Sequence, residues 1–137
     1  LQLTKELFEI YVAQAKRMRE LDGQEIGKES SLKVIELDLS RTFPALSFFQ
    51  PDGPMHAQLR EVLEAYVSYR PDIGYVQGMS FLASMLLLVM DTSDSFKCLA
   101  NLLNRPLFMG FFRMDIDHID KFVEIFEHLL SIHLPNL

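Results

Sequence analysis

Apolar positions recur at helical spacing through most of this chain. Over residues 3–21, Leu3, Leu7, Tyr11, Ala15 and Met18 fall on one face, while Lys5, Glu9, Lys16 and Glu20 lie elsewhere. The stretch 22–30, DGQEIGKES, is polar, holds two glycines and reads as a loop. Ser30 or Ser31 can cap a short helix carrying Leu32, Ile35 and Leu39, which Pro44 stops, because residues preceding proline are pushed out of helical geometry. An irregular connector, 43–54, follows, and its Phe48 and Phe49 are expected to fold back on the core. Pro54 suits the first turn of the next helix, which runs to about Arg70 with Leu59, Val62, Leu63 and Tyr66 at helical spacing. After the turn at 70–72, the uncharged run 73–90 reads as a buried helix. Another helix starts at Thr92 or Ser93, bears Phe96, Leu99, Ala100 and Leu103, and closes at Pro106. Residues 107–112, LFMGFF, read as an apolar corner, and a last helix starts near Asp117. Alternation of period two persists nowhere, so the pattern predicts an all-α fold with short connections.

The run 73–90 approaches the length of a membrane span. Its first third holds Gln77, Tyr75 and two glycines, and Asp72 and Asp91 flank it, so a core helix fits better. Composition is globular: 49% of residues are hydrophobic, and the chain of 137 residues can bury a sizeable core as one domain or part of one. A net charge of −6 argues against a nucleic-acid surface. The single cysteine, Cys98, excludes an internal disulfide, and its neighbours Phe96, Leu99 and Ala100 predict a buried thiol in a reducing compartment. The opening residues, with Lys5, Glu6 and Glu9, do not read as a signal peptide.

Most catalytic and metal-binding patterns are absent from the sequence. The acidic cluster MDIDHID (114–120) lacks the glycine of a calcium loop, and Phe126 stands where a chelating glutamate belongs. Acids at a solvated helix start explain it better. His128 and His133 are five apart, the wrong interval for a stacked pair of ligands on one helix. Neither a nucleophile elbow nor a phosphate-binding P-loop occurs.

Two stretches remain. In IELDLSRTFP (35–44), Ile35, Asp38 and Arg41 share one side of a helix. The plain reading is an i, i+3 ion pair at a helix end; the functional one is a guanidinium held at the surface for an external anion. In DIGYVQG (72–78), Gly74 and Gly78 are i and i+4, with Tyr75 and Gln77 to either side. Glycine costs about 1 kcal/mol at a helical site relative to alanine. Such a pair implies either a close helix crossing with Gln77 bonded to a neighbouring backbone, or space for a partner protein to reach the Gln77 amide.

Taken together, IELDLSR matches I-x-x-D-x-x-R and YVQG matches Y-x-Q-G. In this order, with SRTFP and the phrase RPDIGYVQGMSF around them, they resemble the two fingerprint motifs of the TBC domain family, the GTPase-activating proteins of Rab small GTPases. The resemblance runs from about residue 30 to the chain end. It implies a multi-helix all-α TBC-type domain, of which 1–137 would be the N-terminal portion, with further helices following. It further implies that Arg41 serves as an arginine finger and Gln77 as a glutamine finger in trans. Asp38 would support the arginine, and Ile35, Tyr75 and Gly78 would shape the motifs and the Rab contact. The implied partner is a Rab-family GTPase that carries the GTP and Mg²⁺; the chain would hold no cofactor or metal of its own, would bind no nucleic acid and would have no transmembrane segment. The implied setting is cytoplasmic, in membrane trafficking, with endomembranes reached through partners. A non-catalytic helical module that binds a Rab or a trafficking partner remains the alternative.

Overall fold

The computed structural model describes residues 3–20 and 28–135. All regular structure among them is helical. The helices are α1 (Lys5–Glu20), α2 (Lys28–Arg41), α3 (His56–Tyr69), α4 (Met79–Leu87), α5 (Thr92–Leu103), α6 (Pro106–Phe112) and α7 (Ile116–His133). A single 3-10 turn, Pro44–Leu46, follows α2. The chain divides into two compact units, one through Asn101 and one from Leu102.

In the first unit α3 is the central helix. It packs against α1, α2 and α4; Leu59 is buried, and so is every residue from Val62 through Val67. A helix covered on several sides loses the one-sided pattern of a surface helix. The amphipathic α1 lays Phe8 and Ala15 inward. Tilted ring contacts join it to the core, with the Phe8 ring 5.2 Å and the Tyr11 ring 6.1 Å from the Phe96 ring of α5. Pro71 ends α3, forcing the preceding Arg70 out of helical geometry.

Several sequence expectations are corrected. Helix α2 begins at Lys28, so Ser31 lies inside it rather than capping it, and most of the polar stretch 22–30 lies outside the described residues. Helix α3 begins at His56, with Pro54 in the preceding turn. Of the connector aromatics only Phe49 reaches the core; Phe48 is exposed. The run 73–90 is helical only from Met79 to Leu87. Even there the buried face is small, formed by Ser80, Ala83 and Ser84 with Met79 and Leu87, while Phe81 and Met85 face outward. No helix among the described residues is long and apolar enough to cross a membrane.

In the second unit, residues 107–112 form most of α6, a helix where an apolar corner was expected. A turn through Met114, in left-handed conformation, leads to Asp115, whose side chain accepts the His118 N–H at 3.2 Å and caps α7. The His118 ring packs over Gly110 and against Phe122, whose ring also meets Phe111. The acids at 114–120 thus start a helix, as expected. The α7 face carrying Ile125, Phe126 and Leu129 is exposed.

Candidate functional site

The last two turns of α2 present three successive members of one helical side at different depths. Ile35 is buried in the core, Asp38 is only 3% exposed, and the Arg41 side chain is 56% exposed. A carboxylate at that depth needs hydrogen-bond donors, and Asp38 has three. One oxygen, Oδ1, accepts from the Arg41 guanidinium. The other, Oδ2, accepts the Tyr75 hydroxyl at 2.7 Å and the Gly78 backbone N–H at 3.2 Å. The two sequence motifs therefore converge on one carboxylate, which an i, i+3 ion pair alone would not require.

The segment 72–78 is not helical. Gly74 and Gly78 both adopt positive φ, 68° and 96°, conformations that a side chain disfavours. The glycines are needed for this turn and not for a side-chain-free strip on a helix, which corrects the sequence expectation. The turn aims the Gly78 N–H at Asp38 and leaves Gln77 exposed one residue earlier. Ser31 supports it from α2: its hydroxyl accepts the Tyr75 N–H at 3.2 Å.

Tyr75 is buried, and desolvation pushes its phenol well above the usual range. The adjacent Asp38 carboxylate acts in the same direction, while hydrogen bonding from Ser80 opposes both. The phenol stays protonated at neutral pH and remains a donor to Asp38.

The network extends past the residues expected from sequence. Thr42, fully buried, donates its hydroxyl to the Asp38 carbonyl at 2.7 Å and lies 2.8 Å from the Ser80 hydroxyl. Ser80, like Ser84, is a buried hydroxyl in a mostly apolar helix, a type of residue that needs a partner and so could have been flagged from sequence. Phe43, left-handed at φ 41°, turns the chain away from α2 and sets its ring edge-on to Phe81, 5.2 Å between centroids.

The family model for the Rab-GTPase-TBC domain, RabGAP-TBC, matches residues 2–137. The chain belongs to the RabGAP-TBC family. It is 46% identical to TBC1 domain family member 14 of Bos taurus and 43% identical to TBC1 domain family member 12 of Xenopus tropicalis, in both cases over 100% of this chain and 22% of that protein. It is 44% identical to Drainin of Dictyostelium discoideum over 79% of this chain and 25% of that protein. The chain thus spans about a fifth of the length of the curated TBC1 relatives it matches.

In this TBC chain, Ile35, Asp38, Tyr75 and Gly78 are in or at the edge of the core, while Arg41 and Gln77 are solvent-facing. A guanidinium and a carboxamide at the surface can donate hydrogen bonds to phosphate oxygens or orient a water molecule. Neither is a nucleophile. Among the described residues no group of three or more histidine, cysteine or acidic side chains is arranged to hold a metal ion. Cys98, expected to be buried, is exposed; its apolar sequence neighbours point to other sides of α5.

Proposed function

We propose that this chain provides GTPase-activating residues to a Rab-family small GTPase, with Arg41 as arginine finger and Gln77 as glutamine finger. The partner contributes the bound GTP and Mg²⁺, and the TBC chain contributes no cofactor. Arg41 would neutralise charge developing on the transferring phosphoryl group, and the Gln77 carboxamide would orient the attacking water. What supports the reading is the Asp38 carboxylate, which takes hydrogen bonds from Arg41 itself and from Tyr75 and Gly78, the residues flanking the exposed Gln77 turn. This reading puts the protein in the cytoplasm, acting on membrane traffic through its GTPase partner.

The test is single-turnover GTP hydrolysis by a panel of Rab proteins, with and without the full-length protein. An arginine finger is worth about 10³ to 10⁵ in rate. At least one Rab should be accelerated, and Arg41→Ala should remove nearly all of that gain, with Gln77→Ala also strongly impaired. A folded protein that accelerates no Rab, yet binds one, would replace catalysis by the interaction-module reading. The direct Asp38–Arg41 ion pair would then be a structural helix-end pair.

A further inference from the structure

We infer that Thr42 and Ser80 are positioning residues, a hydroxyl clamp that keeps the Arg41 helix end and the Gln77 turn in register whether or not Arg41 stays on Asp38. The inference rests on the two-finger reading and deepens it. At the end of α2 the backbone tightens: the Thr42 N–H bonds to the Leu39 carbonyl at 3.2 Å, an i→i−3 contact. The Thr42 hydroxyl supplies a donor to the Asp38 carbonyl at 2.7 Å. The same oxygen lies 2.8 Å from the Ser80 hydroxyl, so the two side chains meet directly between the segments. Both residues are fully buried, so water does not compete for the contact.

Sequence position gives the pair its leverage. Thr42 directly follows Arg41, and Ser80 follows Gln77 by three residues, within the first turn of α4. Immediately beyond, the Phe43 and Phe81 rings make a second contact between the same two segments. The Asp38 carboxylate also bridges the segments, but it is the group Arg41 must loosen to reach an external anion. When the guanidinium leaves, the carboxylate loses its cationic partner. The hydroxyl pair involves neither the guanidinium nor the carboxylate, so it persists through that exchange.

The experiment compares Thr42→Val, Ser80→Ala, Thr42→Ser and the Thr42→Val/Ser80→Ala pair in the full-length protein. Single-turnover hydrolysis is measured across concentrations of the protein, and hydrogen exchange is followed over residues 75–80. In Thr42→Val the saturating rate should fall about 10- to 100-fold, the scale expected for a misplaced group. The half-saturating concentration should stay within about twofold, because docking is not the step affected. Exchange over 75–80 should speed up while α3 keeps its protection. Thr42→Ser, which retains the hydroxyl, should restore both readouts, and the double variant should be little worse than Thr42→Val alone. Unchanged rate and exchange in Thr42→Val would overturn the inference. So would faster exchange throughout the first unit without rescue by serine, which would make the pair only a general support of the core. If the unaltered protein accelerates no Rab, the two-finger reading fails, and exchange over 75–80 alone decides whether the clamp exists.

Discussion

At the scale of single residues, Asp38 carries the site. Its buried carboxylate collects one charged and two neutral donors, so removing a donor should cost less than removing the acceptor. Tyr75→Phe leaves Asp38 with two partners and should destabilise by about 1.5–3 kcal/mol, as for a hydrogen bond to a charged group. Asp38→Ala strands the Tyr75 hydroxyl and the Gly78 N–H and should cost more, roughly 2–4 kcal/mol. Urea unfolding of both variants tests the order, and Tyr75→Phe proving the more damaging would refute it. Gly78→Ala isolates a different cause. A Cβ there would meet nothing within 4 Å, so the expected loss of about 1–2 kcal/mol comes from the left-handed backbone alone. These residues were only partly legible in the sequence. The spacing of Ile35, Asp38 and Arg41 fixed their common side, because helical geometry is local. That Asp38 reaches Tyr75 and Gly78 was not, since those contacts span 37 and 40 residues. Cys98 was misjudged because the apolar character of adjacent residues says little about a helical side chain that points elsewhere.

At the scale of elements, periodicity identified α1, α5 and α7 well, each having a face distinct from the rest. It failed for 73–78, where an apolar run contains no proline or charge to mark the break. The turn there is set by long-range bonds to Ser31 and Asp38. It also missed α6, which is too short to display a repeat and rests on α7 through Gly110 and His118. A Cβ at position 110 would lie 1.9 Å from the His118 ring, an impossible contact unless the histidine moves. Gly110→Ala should therefore destabilise the pairing of α6 and α7 by about 1–3 kcal/mol, the cost of overpacking. Adding His118→Ala should recover part of the loss. Hydrogen exchange of α6 and α7 would show it, and independent effects of the two substitutions would contradict the close contact.

At the scale of the whole molecule, the first unit carries a buried acid whose environment opposes its charge. Glu64 of α3, with its side chain 6% exposed, pairs with Arg19 of α1 at 3.3 Å. Even so, desolvation raises its pKa, outweighing the attraction of Arg19 and Arg60. Because the folded value lies above the ordinary 4.5, the folded protein holds this proton more tightly than the unfolded chain. The stability due to Glu64 is thus full below pH 4.5 and is lost as pH rises through the raised folded value. Glu64→Gln should gain on the unaltered protein as pH increases across that interval; thermal unfolding at several pH values checks the trend, and the opposite slope would mean that Arg19 prevails. The long sequence separation within the site has a different outcome. A peptide bearing either motif alone has no Asp38-centred network to assemble, whatever helix it forms. On the proposed reading, activity would therefore report tertiary assembly: a partly melted protein that retained its helices but released α2 from α4 would fall silent before circular dichroism registered much change.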